Sequence, residues 1–150
     1  MGRLEWGERL IVVDSSAAIA ILFEEPSQDA LMDRLTEVAR NQRFISAASY
    51  LETGSVIAGR IDEPPRTQDL LDGLLEMLGV EVAPLTERQA KIGIQARIRF
   101  GRGSGSPAKL NLGDCYAYAL AKDLDAPLLF IGDDFTHTDI RSALGPVTSR

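Results

Sequence analysis

A chain of 150 residues, 45% hydrophobic and 25% charged, has the size and composition of one globular domain with a sizeable core. One cysteine excludes an internal disulfide, and together with the single histidine it excludes a structural zinc site. The net charge of −6 argues against a general nucleic-acid binder, and no apolar run approaches the roughly 20 residues that span a bilayer.

The start, Met1-Gly-Arg-Leu-Glu-Trp-Gly-Glu-Arg, lacks the apolar core of a signal peptide, so a cytoplasmic location without membrane attachment is expected. Leu10 to Val13 is short, apolar and β-branched and reads as a buried strand. Asp14-Ser15-Ser16 supplies cap residues for a short helix over Ala17 to Phe23, which ends before Pro26. Ser27 is placed to cap a second helix whose apolar stripe is Leu31, Met32, Leu35 and Val38. Arg43 to Ser46 is a strand candidate, followed by a helix over Ala47 to Arg60 and a turn at Pro64-Pro65.

Thr67 opens a helix with Leu70, Leu71, Leu74, Leu75 and Leu78 at helical spacing, closed by Gly79. Val80 to Pro84 alternates as a strand. Thr86 with Gln89 resembles a capping box opening a helix to about Arg99. Gly101-Arg-Gly-Ser-Gly-Ser-Pro-Ala is read as a flexible loop, Leu112 to Leu124 as the most apolar helix, and Leu128 to Ile131 as the last strand. Strands alternating with helices predict an α/β fold with a mainly parallel central sheet flanked by helices.

In such a sheet, ligands bind at the carboxyl ends of the strands. Asp14 and the pair Asp133–Asp134 directly follow strands, Asp114 lies in the first turn of its helix, and Glu52 lies within two turns of its helix start. Each aspartate also reads as a cap or a helix-start charge. Glu52 discriminates better, because its neighbours Ala48, Ser49, Ser55 and Val56 form a small-residue face where an unpaired buried carboxylate would cost several kcal/mol. Clustered carboxylates persist only with a counter-cation, and oxygen-only donors suit Mg2+ or Mn2+. Ser15 and Ser16 read equally as caps or, for Ser16, as a hydroxyl orienting Asp14. Cys115, Tyr116 and Tyr118 read as packing residues.

From Arg88 to Gly113 there is no acidic residue, while Arg88, Lys91, Arg97, Arg99, Arg102 and Lys109 all fall inside. On an acidic chain this stretch reads either as a solvated helix face and loop or as the seat of an anionic partner.

Four segments in order, Val12-Val-Asp-Ser-Ser-Ala, Ala48-Ser-Tyr-Leu-Glu-Thr, Asn111-Leu-Gly-Asp-Cys-Tyr-Ala-Tyr and Leu128-Leu-Phe-Ile-Gly-Asp-Asp-Phe-Thr-His-Thr-Asp, resemble a PIN-domain ribonuclease. More narrowly, the chain resembles the VapC toxins of bacterial VapBC toxin–antitoxin pairs. The resemblance implies a PIN-like three-layer α/β fold over 10–145, with tails at 1–9 and 146–150. It implies a Mg2+- or Mn2+-dependent endoribonuclease, with Asp14, Glu52, Asp114 and Asp134 as the acidic set and Asp133 as the alternative fourth acid. Asp14 and Asp114 are expected to ligate the metal, with Glu52 and Asp134 holding its water or completing a second metal position. Arg97, Arg99, Arg102 and Lys109 are expected to hold the RNA backbone. A VapB-type antitoxin and a homodimer are the implied partners. Two rivals are a haloacid-dehalogenase-type phosphatase and a non-catalytic PIN-like binding module. The first wants a second aspartate where Ser16 stands, and a lysine at a strand end where none sits.

Overall fold

The computed structural model describes residues 9–145, so the expected tails lie outside the described residues except for Arg9. Four strands, β1 (Ile11–Val13), β2 (Arg43–Ser46), β3 (Val80–Ala83) and β4 (Leu128–Leu129), form one sheet in the order β3-β2-β1-β4. Every strand pair is parallel. Six α-helices connect and cover it: α1 (Ser15–Leu22), α2 (Gln28–Thr36), α3 (Ala47–Arg60), α4 (Thr67–Leu78), α5 (Glu87–Phe100) and α6 (Leu112–Leu124).

Alternation along the strands divides the core in two. Ile11, Val13 and Ile45 face an aliphatic layer built from α1, α2, α3 and α4, including Ile21, Leu31, Leu35, Ile57 and Leu71. Val12 and Leu128 face the other way, onto Ala96 and Phe100 of α5 and Tyr118 and Leu120 of α6. Helices on both faces of a parallel sheet give three layers. Arg43 is buried in the central strand β2, and its guanidinium is satisfied by the carbonyls of Val38 (2.8 Å) and Leu78 (2.5 Å), which tie β2 to the ends of α2 and α4.

Several boundaries differ from the expectation for local reasons. Asp14 is itself the N-cap of α1, so that helix starts at Ser15. Ser27 stands at the N-cap position of α2 but makes no side-chain cap bond there. Thr86 caps Gln89 N as expected, yet the Gln89 side chain turns to Asp123 (3.1 Å) instead of completing the box. The reciprocal capping box lies at Asn111 and Asp114. β4 stops at Leu129, two residues early, because the Ile131 N–H is donated to Ser16 Oγ rather than to a neighbouring strand. The loop after α5 is tied at its base, with Leu110 N donating to Phe100 O (2.8 Å) and Arg102 N to Leu110 O (3.2 Å).

The two outer layers are not equally sealed. Beside α5 and α6 a groove of about 350 Å³ is lined almost wholly by apolar groups. Ile94, Ile98 and Leu112 around it are each more than half exposed. No helix among the described residues is long and apolar enough to cross a membrane.

Candidate active site

The parallel topology brings the ends of β1 and β4 and the starts of the following helices to one edge of the sheet. Asp14 ends β1, a strand with neighbours on both sides, and is only 4% exposed. Its Oδ2 accepts from Ser16 N (3.0 Å) and Ser16 Oγ (2.6 Å). Ser16 Oγ in turn accepts from Ile131 N (3.0 Å), so one hydroxyl joins the β1 end to the chain leaving β4. Burial pushes the Asp14 carboxyl up to about 6. The Ser16 bonds oppose the rise, and the charge of Glu52 adds to it.

Asp114 occupies the third position of α6. Its Oδ2 accepts from Asn111 N (3.0 Å) while Asn111 Oδ1 accepts from Asp114 N (2.8 Å). This is a complete capping box, so the helix-start reading of Asp114 is correct as far as it goes. It does not account for the rest. Burial pushes Asp114 up to about 7, the Asn111 bond lowers it, and the charges of Asp134 and Asp14 raise it further. A residue serving only as a cap would have no reason to face two other acids.

Past β4, Gly132 takes φ +101, a left-handed conformation that L side chains rarely adopt, and it carries the chain into the acidic pair. Both are exposed, and of the pair it is the charge of Asp134 that raises Asp114. The Asp133 carbonyl accepts from Thr136 N and Thr136 Oγ1. Phe135, next in sequence, is buried against Phe130, with ring centroids 5.0 Å apart, and anchors the turn.

Glu52 is half-buried rather than enclosed. Its Oε1 accepts from Ser15 Oγ (2.8 Å), and its carboxylate rests against the backbone of Gly113, where a Cβ would lie 1.8 Å from Oε2. Neither contact follows from a local sequence signal, because each joins segments more than 30 residues apart.

The basic stretch divides. Arg88 pairs with Asp123 (2.6 Å) and Lys91 with Glu87 (3.1 Å). Arg99 pairs with Asp139 (3.7 Å) and lies over the Phe100 ring. Asp139 also accepts from Tyr118 Oη and Lys122 Nζ, a network that no local sequence feature marks. Arg97, Arg102 and Lys109 form no ion pair among the described residues. Arg102 and Lys109 flank an open cavity of about 690 Å³ in the loop after α5. Cys115 and Tyr118 are buried packing residues, and His137 is exposed.

The acids interact in a chain: Glu52 acts on Asp14, and Asp14 and Asp134 act on Asp114. Among the described residues no three His, Cys, Asp or Glu form a ready cage for one ion. The donor chemistry nevertheless suits a hard dication. Two carboxyls are held buried against desolvation and mutual repulsion, and an oxygen-seeking cation would relieve both.

A family profile for the PIN domain matches residues 11–141. The ribonuclease VapC28 of Mycobacterium tuberculosis is 48% identical over 134 residues, spanning 89% of this chain and 98% of that protein. The VapC ribonuclease Mb0625 of Mycobacterium bovis gives the same figures. The ribonuclease VapC30 of Mycobacterium tuberculosis is 40% identical over 136 residues, spanning 91% of this chain and 100% of that protein.

Proposed function

Since the chain belongs to the PIN-domain family, we propose that it is a VapC-type endoribonuclease toxin acting at the carboxylate edge formed by Asp14, Glu52, Asp114 and Asp134. The observation that carries this reading is that Asp14 and Asp114, from separate segments, are both buried at this edge and held by Ser16 and Asn111. The family match leaves the phosphatase reading without support.

Asp14 and Asp114 are the residues to hold Mg2+ or Mn2+, being the most buried and the most raised in pKa. The bound ion would supply Lewis acidity and a lowered pKa for the attacking water. Ser16 fixes Asp14, and the capping box fixes Asp114, so both carboxylates are oriented before any ligand arrives. Glu52 and Asp134 flank them and are the groups to orient the attacking water and accept its proton as the phosphorus–oxygen bond breaks. Arg97, Arg102 and Lys109 are available to offset the negative charge of an RNA backbone at an acidic site. Arg99 is a weaker candidate, since Asp139 already engages it.

The likeness to VapC proteins supports a cytoplasmic toxin restrained by a VapB-type antitoxin, with a basic side chain of the antitoxin entering the acidic edge. The exposed Ile94, Ile98 and Leu112 supply the apolar face on which a homodimer would form. The domain itself is taken as 10–145.

The test is cleavage of a mixed RNA substrate with Mg2+ or Mn2+, with excess EDTA, and by the Asp14→Asn variant. Activity only in the first case is expected. Full activity in EDTA or in the variant would overturn the reading, and binding without cleavage under every condition would favour a non-catalytic module.

A further inference from the structure

Ser15 and Gly113 adjoin Asp14 and Asp114 in sequence, and the proposed chemistry leaves both unused. Both touch the same side chain. Ser15 Oγ donates to Glu52 Oε1 at 2.8 Å, and the Glu52 carboxylate fills the space over Gly113. A Cβ at position 113 would lie 1.8 Å from Oε2, 2.6 Å from Cδ and 3.0 Å from Oε1, so no side chain fits there while Glu52 stays in place.

The glycine is not explained by its backbone. Gly113 is absent from the positive-φ residues and lies in the first turn of α6, where an alanine would favour the helix. Space is the remaining reason. Ser15 has no capping duty to explain it either, because the N-cap of α1 is Asp14, whose carboxylate takes the Ser16 N–H.

We infer that Ser15 and Gly113 form a two-sided clamp that positions Glu52 for the reaction, an inference that rests on the proposed ribonuclease function. The clamp works because of where its jaws stand. Ser15 adjoins Asp14, and Gly113 adjoins Asp114, so the glutamate from α3 is held between the neighbours of the two buried aspartates. A free glutamate on a half-exposed helix face samples many rotamers, and fixing it in advance removes that freedom before substrate arrives. The hydroxyl selects which oxygen turns towards α1, and the missing Cβ lets the other approach the start of α6. Ser15 and Gly113 are positioning residues that act through Glu52.

Four variants test this, alone and combined with Glu52→Ala: Ser15→Ala, Ser15→Thr, Gly113→Ala and, as a control on the function, Asp14→Asn. Thermal melting is the first readout and needs no activity. Gly113→Ala must push the flexible Glu52 carboxylate aside in the native background, so its effect on Tm should be less favourable there than in the Glu52→Ala background, where only the helix preference remains. Equal Tm changes in the two backgrounds overturn the packing half of the clamp. The second readout is the Mn2+ concentration giving half of the maximal Tm increase, together with kcat and KM on RNA. Ser15→Ala should raise that concentration and lower kcat about tenfold with KM little changed, Ser15→Thr should restore both, and neither should act when Glu52 is alanine. Losses that add to that of Glu52→Ala, or that threonine fails to rescue, overturn the hydroxyl half. Should Asp14→Asn keep full activity, the function itself fails, and the difference in Tm effect between the two backgrounds still reports on the clamp.

Discussion

The acidic edge and the basic stretch that follows Thr86 treat their charges in opposite ways. At the edge, Asp14 and Asp114 are buried and Glu52 is half-buried, and Ser16, Asn111 and Ser15 fix them where their charges oppose one another. Along α5 and its loop, charges are exposed, and half of them are already neutralised by acids of the same chain. Rigid repulsion makes a site selective for something small and strongly positive. Loose, partly cancelled charge suits a long flexible anion that needs no single geometry.

The largest expected effect lies at the edge. Asp114→Asn should lower RNA cleavage by about 10³-fold, a loss comparable with deleting a key electrostatic group. An asparagine oxygen can still accept from Asn111 N, so the cap survives, and Tm in EDTA near pH 8 should equal or exceed that of the native protein. A variant that melts earlier without metal, yet gains as much from Mg2+ as the native protein, would reduce Asp114 to a helix cap.

The second effect is on stability against pH. Asp14 and Asp114 have raised folded-state pKa values, so the folded chain keeps protons that the unfolded chain loses. Their contribution is fully present below about pH 4 and is lost as pH rises through about 6 for Asp14 and about 7 for Asp114. For Asp14 alone the change is on the order of 3 kcal/mol. Melting in EDTA at about pH 5 and about pH 8 reads about half of it, the rest lying between about pH 3 and pH 5. Greater stability at the higher pH would mean that neither burial nor repulsion opposes the charged forms of these carboxyls.

A smaller effect separates the two kinds of cation. Replacing Arg97, Arg102 and Lys109 together with alanine should flatten the salt dependence of RNA binding by about two units. Removing Arg88 and Lys91, whose partners are intramolecular, should leave it nearly unchanged. Equal changes from both sets would show that native pairing does not decide which cations meet RNA.

The smallest effect on chemistry is expected from Ile94→Glu with Ile98→Glu. A charge on each of two exposed aliphatic positions should shift a dimer towards monomer in light scattering, with the melting temperature little changed. A mass unchanged by both substitutions would place the dimer face elsewhere or remove it.

The elements were largely legible because their signals are local. The α4 range followed from helical spacing and its closing glycine, β1 and β4 from short apolar runs, and β3 from alternation, while β2 carried the weakest signal. β4 was read two residues too long because nothing in Phe130-Ile131 announces that Ser16, 115 positions away, will take the Ile131 N–H. The acidic residues could be named in order along the chain, but their geometry could not. The Glu52 contacts with Ser15 and Gly113 are tertiary, and a glycine inside a helical run looks like a weakness until its neighbour is known. Likewise Arg99 and Arg97 are two residues apart on one helix, and only the fold reveals that Asp139 reaches one of them.

The bond from Ile131 N to Ser16 Oγ also has a temporal side. It joins segments 115 positions apart, and the turn bearing Asp134 cannot dock until that whole stretch has left the ribosome. Contacts between such distant segments form late and slowly in folding. A nascent chain that stops short of Ile131 lacks both the Ile131 donor and Asp134, so the carboxylate edge stays incomplete until that segment has been made.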